Sequence, residues 1–265
     1  MADSTNAEEL LNKITGAVRE CAKIILEAKR SSEMVEAKGG HANFVTTYDK
    51  KVQEELKKKL MAILPEANFA GEEEEEFNVK LEGLTYVVDP IDGTTNFIHD
   101  LHCSCISVGL LNDGKQFIGV VYNPYLDEMF TAIKDGGAFL NGKRIEVTKS
   151  PLEAGLSIFG TSPYYIELAK KSFDLAYKIF EKSADVRRGG SAAIDLCTVA
   201  AGRANMYFEL KLSPWDFAAG TLIVREAGGI ATTAEGSDFD FTKKCSCVAR
   251  TVGMEDVIEE IFFKG

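Results

Sequence analysis

The chain changes from apolar to acidic at the stretch Asp89-Pro90-Ile91-Asp92-Gly93-Thr94-Thr95-Asn96-Phe97. The residues just before it, 84–88, form a short apolar run that predicts a buried strand. Asp89 and Asp92 therefore lie at a strand end, and Gly93 permits a sharp turn after them. Carboxylates at a strand end suit a hard cation, and N–H groups at a following helix start suit a phosphate. The stretch predicts a site of this kind, although Asp-Gly-Thr alone is more typical of a capped turn.

The apolar pattern predicts alternating helices and strands along the rest of the chain. Predicted helices cover 10–25, 49–64, 165–182, 192–201, 216–227 and 255–263. Predicted strands cover 84–88, 106–111, 117–122, 129–134 and 206–210. Turn signals stand at 112–114 and at 141–142. Strands followed by helices on both sides imply an α/β fold of layered sheets between helical layers, with strands that need not all be parallel.

Length and charge limit the classes of partner. At 265 residues the chain fits one large domain or two closely joined ones. Its net charge of −11 argues against a nucleic-acid partner, because binding to a phosphate backbone requires a basic surface. An acidic protein that binds a small phosphorylated molecule needs something to neutralise the phosphate, and divalent cations are the natural candidate.

Other features of the composition point to the cytoplasm and away from a membrane. No stretch approaches the roughly 20 apolar residues of a membrane helix, and residues 1–6 lack the features of a secretory signal. The six cysteines include two C-x-C pairs, Cys103/Cys105 and Cys245/Cys247. We interpret each pair as two thiols on one strand face rather than as a zinc site, because C-x-C spacing places both side chains on the same side of a strand.

The nine-residue stretch 89–97 fits at every position a known family signature, D-P-I/L-D-G-T-T/S-N-F/Y. On this basis the chain resembles the inositol monophosphatase family. Two further segments match: 71–73 resembles the family's G-E-E, and 215–220 resembles its W-D-x-A-A-G. Residues 42–49 resemble the segment that ends in a catalytic-site aspartate, with Asn43 where many members have Asp. The resemblance covers nearly the whole chain and includes no large insertion.

The resemblance implies a fold and a division of labour along the chain. The fold is a five-layer α-β-α-β-α sandwich of the inositol monophosphatase and fructose-1,6-bisphosphatase type. Residues 1–265 are expected to form one inositol monophosphatase-like domain. Its N-terminal α+β part, about 1–145, would carry most metal ligands, and its C-terminal α/β part, about 146–265, would carry Asp216 and the substrate pocket.

The resemblance also assigns roles to individual residues. The expected metal ligands are Glu72, Asp89, the carbonyl of Ile91, Asp92 and Asp216. The residues expected to act in catalysis are Glu72, Glu73, Thr94 and Asp49. The residues expected to bind substrate are Asp92, Gly93, Thr94, Thr95, Gly190, Ser191, Ala192, Glu209 and Asp216. Lys38 matches a lysine on a mobile loop over the site. Without the resemblance, 72–76 would be interpreted as a solvated charge run and Asp216 as a helix cap.

The expected activity is Mg²⁺-dependent hydrolysis of a small phosphate monoester, most plainly myo-inositol 1-phosphate. The carboxylates independently favour Mg²⁺ or Mn²⁺ over zinc, because no His or Cys stands among them. The resemblance implies two or three Mg²⁺ ions, inhibition by Li⁺, a phosphorylated polyol or sugar as substrate, and a homodimer.

Other activities stay open on the sequence alone. Fructose 1,6-bisphosphate is the main alternative substrate, and histidinol phosphate and NADP are hydrolysed on the same scaffold. A catalytically silent protein that binds a cation or a partner is the alternative outside enzymes. The presence of both Thr94 and Asp49 argues against it, because a pure binder could lose either residue.

Overall fold

The protein is described from a computed structural model that covers residues 4–29, 34–37, 44–75, 79–80, 82–162 and 164–263. Its helices in chain order are α1 (Ser4–Leu26), α2 (Thr47–Ile63), α3 (Thr94–Ile98), α4 (Ile166–Phe180), α5 (Ala192–Ala200), α6 (Pro214–Glu226) and α7 (Glu255–Ile258). A 3₁₀ turn covers Leu152–Ala154, and α7 continues as a π-helical turn over Glu259–Phe263.

The strands form a larger sheet from the first half of the chain and a smaller one from the second. The larger sheet holds β3 (Asn68–Gly71), β4 (Leu84–Asp92), β5 (Cys105–Asn112), β6 (Lys115–Asn123), β7 (Glu128–Ile133), β8 (Gly137–Leu140) and β9 (Lys143–Ile145). The smaller holds β10 (Leu156–Phe159), β11 (Asp185–Arg187), β12 (Met206–Leu212), β13 (Ile230–Thr232) and β14 (Cys245–Arg250). A separate antiparallel pair, β1 (Val35–Ala37) and β2 (Phe44–Thr46), precedes α2.

The seven-stranded sheet follows chain order from β3 to β9. β3 and β4 are parallel, and each later neighbouring pair is antiparallel. Two hairpins turn where the sequence places its turn signals: both central residues are left-handed at Asp113 (φ 48°) and Gly114 (φ 71°), and again at Asn141 (φ 49°) and Gly142 (φ 76°). Left-handed geometry at both positions matches the twist of the flanking strands.

The five-stranded sheet has the order β11-β10-β12-β14-β13. β10 is parallel to both of its neighbours, whereas β14 is antiparallel to β12 and β13. The register of β12 against β14 shifts between Glu209 and Leu212, which marks a bulge in β12.

The two sheets and the helices stack in five layers, α-β-α-β-α. α1 and α2 cover one face of the larger sheet, α5 and α6 lie between the sheets, and α4 covers the outer face of the smaller sheet. One apolar core lies under α1 and α2, a second surrounds α5 and α6, and a third lies beneath α4. The predicted α/β fold and its five-layer order are confirmed.

Helix α6 approaches the larger sheet closely because two strands present glycine to it. A Cβ added to Gly109 on β5 would lie 3.0 Å from the Cβ of Ala218. A Cβ added to Gly119 on β6 would lie 2.8 Å from the backbone oxygen of Ala219. Gln116 fixes the same contact, since its Nε2 donates to the Ala218 carbonyl at 2.6 Å.

Most of the predicted elements occur with shifted ends, and several short ones were missed. Strand β4 continues through Asp92, beyond the predicted end at 88, so both aspartates lie in the strand. Cys103 precedes β5 rather than lying on it, so the interpretation of Cys103 and Cys105 as one strand face is wrong. Among the described residues, no helix has the length and apolar character needed to cross a membrane. The division of the chain near residue 145 stays a prediction.

The seating of α6 gives the first testable prediction. Replacing Gly119 by alanine forces its new Cβ against the backbone of α6, which should destabilise the fold by about 1–3 kcal/mol. Gly16→Ala is the matched control, because no atom lies within 4 Å of its added Cβ and it is exposed within α1. Urea denaturation measures the free energy of unfolding of both variants. Equal stability of Gly119→Ala and wild type contradicts the close approach of α6.

Candidate active site

Three aspartates from two distant parts of the chain meet at one point. Asp89 and Asp92 come from the end of β4, and Asp216 comes from the first turn of α6. One carboxylate oxygen from each lies within 4.8 Å of the other two. Asp89 and Asp92 are buried and Asp216 is half-buried, so this acidic cluster is largely shielded from water.

Each of these carboxylates is held in place by hydrogen bonds from the protein. Asp89 Oδ1 accepts from the backbone N–H of Ile91 at 3.0 Å. Asp92 Oδ2 accepts from the Ser191 hydroxyl at 2.6 Å and from the backbone N–H of Ala193 at 2.7 Å. Asp216 Oδ2 accepts from the backbone N–H of Ser213 at 2.7 Å, which also caps α6. Asp216 therefore has the predicted capping contact and a place in the cluster.

Burial and mutual repulsion disfavour the charged form of the cluster. Burial is the main cause that raises the pKa of Asp89 well above its ordinary value, and the nearby charges of Glu72, Asp92 and Asp216 add to it. The pKa of Asp216 is also raised, first by burial and then by Asp92 and Glu72. For Asp92, burial raises the pKa while the Ser191 and Ala193 hydrogen bonds oppose the rise. A bound cation would relieve this repulsion.

Glu72 and Glu73 follow β3 at the same end of the sheet as Asp89. β3 is parallel to β4, and the Glu72 N–H donates to the Val88 carbonyl at 3.0 Å. The Glu73 N–H donates to Gln53 Oε1 at 2.9 Å. Glu74 lies 2.8 Å from Lys57 Nζ, so it belongs to an ion pair with α2 rather than to a purely solvated run.

Asp49 and Thr94 meet beside the cluster. The Thr94 hydroxyl lies 3.2 Å from Asp49 Oδ1 and 3.1 Å from the Ile91 carbonyl oxygen, and both oxygens are acceptors. Asp49 is fully buried, and its Oδ2 accepts from the Thr46 N–H at 2.7 Å in a capping box at the start of α2. Burial raises the pKa of Asp49 to about 7, against the Thr46 hydrogen bonds, with smaller contributions from Glu72 and Glu73.

Glycines allow the loop after β4 to pack against the loop before α5. Gly93 is left-handed (φ 87°), and a Cβ on it would lie 3.0 Å from the Cys103 carbonyl and 3.2 Å from that of Gly190. Asn96 ties the two loops together, because its Nδ2 donates to the carbonyls of Cys103 at 2.7 Å and Gly189 at 3.0 Å. The predicted substrate residues 190–192 are thereby brought next to Asp92.

An open cleft of about 370 Å³ lies beside the acidic cluster. Glu72, Asp216 and Glu209 line it together, although Glu209 lies on β12 of the smaller sheet. Glu209 Oε2 accepts from the Tyr207 hydroxyl at 2.9 Å, and burial raises the pKa of Glu209 to about 7. Thr95 is exposed at the start of α3, and Lys38 lies outside the described residues.

Sequence reasoning missed two residues that hold the site together. Thr46 caps α2 and binds Asp49, and its spacing three residues before an acidic residue is a capping-box signal that the sequence displays. Asp195 on α5 is 4% exposed, and burial raises its pKa well above the ordinary value while a hydrogen bond from the Gly190 backbone opposes the rise. An acidic residue within the apolar helix 192–200 was the available signal.

The donor set fits a hard divalent cation. Three carboxylate groups converge, and no histidine belongs to the described cluster. The Cys105 Sγ lies 3.8 Å from Asp92 Oδ2, and burial raises the pKa of this thiol well above its ordinary value. Oxygen ligands without thiolate or imidazole are those of Mg²⁺ or Mn²⁺ rather than zinc.

Comparison with known proteins agrees with this geometry. Residues 6–262 match the inositol monophosphatase family. The chain is 38% identical to inositol monophosphatase 3 of Solanum lycopersicum over 92% of this chain and 93% of that protein. It is 37% identical to Nus factor SuhB of Escherichia coli over 86% of each. The crystal structure of extragenic suppressor protein suhB from Bartonella henselae superimposes with a TM-score of 0.88 at 32% identity, covering 97% of this chain and 99% of that one.

The chain belongs to the inositol monophosphatase family. It is a phosphoric monoester hydrolase, in agreement with the resemblance drawn from 89–97. The family depends on metal ions, and the acidic cluster of Asp89, Asp92 and Asp216 offers carboxylates that could bind them.

Two alanine substitutions distinguish the effect of backbone strain at a left-handed glycine from the effect of displacing the site residues. Gly93→Ala should reduce phosphate release strongly, because its Cβ meets Cys103 and Gly190 and displaces Thr94. Gly83→Ala is the matched control: its φ of 70° brings a similar left-handed penalty of about 1 kcal/mol, yet nothing lies within 4 Å of the added Cβ. Activity and melting temperature are measured for both. Equal losses of activity in the two variants contradict the role of close packing at Gly93.

Proposed function

We propose that this phosphatase hydrolyses myo-inositol 1-phosphate in a reaction that requires Mg²⁺. The observation that carries the proposal is the buried acidic cluster, whose Asp216 lines a cleft that also contains Glu209. Relatives named inositol monophosphatase, such as the Solanum lycopersicum protein that aligns over 92% of this chain, support the choice of substrate.

The metal ligands we propose are five. Glu72, Asp89 and the Ile91 carbonyl would hold one ion, while Asp89, Asp92 and Asp216 would hold a second. A weaker third ion belongs near Glu72, Mn²⁺ is expected to substitute for Mg²⁺, and Li⁺ is expected to inhibit. When bound, the ions supply positive charge that offsets the negative charge of the phosphate and of the leaving oxygen.

The residues around the cluster would orient the attacking water and the phosphate. The Thr94 hydroxyl, directed by Asp49 at 3.2 Å, is suited to hold the water by hydrogen bonding. Glu72 and Glu73, which follow β3 at the same end of the sheet as Asp89, would assist. Backbone N–H groups of Gly93, Thr94 and Thr95 would donate to phosphate oxygens. No covalent link between the chain and the phosphate is required.

The remainder of the cleft is assigned to the alcohol part of the substrate. The Glu209 carboxylate would accept hydrogen bonds from sugar or polyol hydroxyls, with Tyr207 holding it in place at 2.9 Å. Gly190, Ser191 and Ala192 would line the same pocket beside Asp92, whose carboxylate binds Ser191 at 2.6 Å. A homodimer, a cytoplasmic location and the absence of a nucleic-acid partner stay predictions from the sequence.

Phosphate release from a panel of esters tests the proposal. The panel holds myo-inositol 1-phosphate, fructose 1,6-bisphosphate, histidinol phosphate and NADP, each with Mg²⁺ and with chelator. The highest kcat/KM is expected for myo-inositol 1-phosphate, with no turnover in chelator. A higher kcat/KM for another ester replaces the proposed substrate, and activity that survives chelation removes Mg²⁺ from the mechanism.

The pKa shifts of the cluster predict how the metal-free protein responds to pH. Unfolded aspartates ionise near 3.8, whereas burial raises the pKa of Asp89 and Asp216 in the folded protein and brings that of Asp49 to about 7. The folded state therefore binds more protons, and its free energy of unfolding should fall as pH rises from about 4 to about 8. Without divalent cations the melting temperature should fall over the same range.

Mg²⁺ should restore the melting temperature at pH 8. At a concentration about a hundredfold above Kd, binding adds about 2.7 kcal/mol, or about 5–10 °C for a protein of this size. Asp92→Asn should lose most of this response, and the control Asp256→Asn, which removes an exposed carboxylate on α7, should keep it. An equal Mg²⁺ response in the two variants counts against the cluster as the binding site.

A further inference from the structure

Glu209 is held by a residue of its own strand. Tyr207 and Glu209 are two positions apart on β12, so their side chains project from the same face of the smaller sheet. The Tyr207 hydroxyl donates to Glu209 Oε2 at 2.9 Å. Tyr207 is fully buried in the core around α5 and α6, whereas Glu209 is half-buried and lines the cleft. A closely packed ring therefore fixes one end of the Glu209 carboxylate.

Gly160 contacts the same carboxylate from the neighbouring strand. Strands β10 and β12 are parallel, and the N–H of Gly160, just after β10, donates to the Phe208 carbonyl at 2.8 Å. A Cβ added to Gly160 would overlap Glu209 Oε2, and it would lie 2.7 Å from Glu209 Cδ and 3.0 Å from the Tyr207 hydroxyl oxygen. Glu209 can therefore occupy its position only because residue 160 has no side chain.

These contacts occupy one oxygen of Glu209 and leave the other available. Oε2 accepts from Tyr207 and packs against Gly160. The residues that the structure describes donate no hydrogen bond to the other oxygen, Oε1. Because Glu209 lines the cleft, Oε1 is the oxygen that can accept from a hydroxyl group of a bound molecule.

Titratable groups from several elements interact electrostatically with Glu209. Besides Tyr207, they are Asp92 on β4, Arg188 just after β11, Asp195 on α5, Asp216 on α6 and Cys247 on β14. Burial is the main cause that raises the pKa of Glu209 to about 7, and the Tyr207 hydrogen bond opposes the rise. Asp92 adds to the rise and Arg188 opposes it. Loss of the Tyr207 hydroxyl alone would raise this pKa further, because the other groups stay in place.

We propose that Gly160 and Tyr207 are positioning residues that set how Glu209 binds a hydroxyl group of the substrate. Gly160 determines where the carboxylate lies, and Tyr207 determines which of its oxygens accepts. Neither residue lines the cleft, so both act through Glu209. The inference rests on the proposed function in taking Glu209 as the group that contacts the alcohol part of the ester. A site built to bind a hydroxyl discriminates against an ester that lacks one.

Myo-inositol 1-phosphate and phenyl phosphate are the probes, because only the first has hydroxyl groups on its leaving group. In Gly160→Ala, KM for myo-inositol 1-phosphate should rise about tenfold, since the new Cβ displaces Glu209. KM for phenyl phosphate should change less than about twofold, and kcat should hold for both esters. The urea midpoint should stay near that of wild type, because the displaced atoms belong to the ends of side chains. An equal rise of KM for both esters overturns the role of Gly160.

Tyr207→Phe removes the hydroxyl and keeps the ring. KM for myo-inositol 1-phosphate should fall as Glu209 ionises with rising pH, because a charged oxygen is the stronger acceptor. In Tyr207→Phe this fall should move up by about one pH unit, since the lost hydrogen bond favours the charged form. Tyr86→Phe is the matched control, because the buried Tyr86 hydroxyl has no hydrogen-bond partner among the described residues. An unmoved pH profile in Tyr207→Phe overturns its role, as does an equal shift in Tyr86→Phe.

Titration of Glu209 itself separates the inference from the choice of substrate. Carbon-13 NMR of protein labelled at the glutamate carboxyl carbons, at saturating Mg²⁺, follows this titration, and the Glu209 signal is the one that Glu209→Gln lacks. Its midpoint should be higher in Tyr207→Phe than in wild type and unchanged in Tyr86→Phe. Equal midpoints in wild type and Tyr207→Phe overturn the inference, whatever the enzyme hydrolyses. If another polyol or sugar phosphate proves to be the substrate, it replaces myo-inositol 1-phosphate in the comparison with phenyl phosphate.

Discussion

The close seating of α6 against the seven-stranded sheet is the constraint on which the site depends. Asp216 is 127 positions after Asp89 by residue number, and it reaches Asp89 only because α6 lies directly on β5 and β6. Glycine at 109 and 119 makes that approach possible, since a Cβ at either position would press on α6. The same helix also packs on the smaller sheet, so both halves of the chain depend on its position. The active site is thus assembled by helix packing rather than by one local segment.

The acidic cluster opposes the stability that this packing provides. Burial raises the pKa values of all three carboxylates because each loses hydration, and repulsion from neighbouring carboxylates adds to the rise at Asp89 and Asp216. The protein offsets part of this cost with hydrogen bonds, most clearly at Asp92, where Ser191 and Ala193 both donate. Such partial compensation is expected of a site built to receive cations, because full compensation within the chain would leave less to gain from binding them.

The sequence predicted the layers and the acidic strand end well, because both rest on local patterns. Apolar periodicity located the long helices, and the signature at 89–97 located two of the three clustered aspartates. The short strands β10 and β11 were missed, since three or four residues carry too little pattern to separate them from loops. Contacts between residues far apart in sequence were not predicted: no local signal relates Lys211 to Tyr165, because the two residues meet only through the packing of separate elements.

In each clustered aspartate, one oxygen is committed to a backbone N–H group: Oδ1 in Asp89, and Oδ2 in Asp92 and Asp216. This divides every carboxylate into an anchoring atom and a coordinating atom, and it discourages bidentate ligation. Calcium commonly takes six to eight oxygens and uses bidentate carboxylates, whereas magnesium accepts few protein ligands and retains water. These backbone contacts would therefore favour Mg²⁺, the ion we propose, over Ca²⁺, an ion of equal charge.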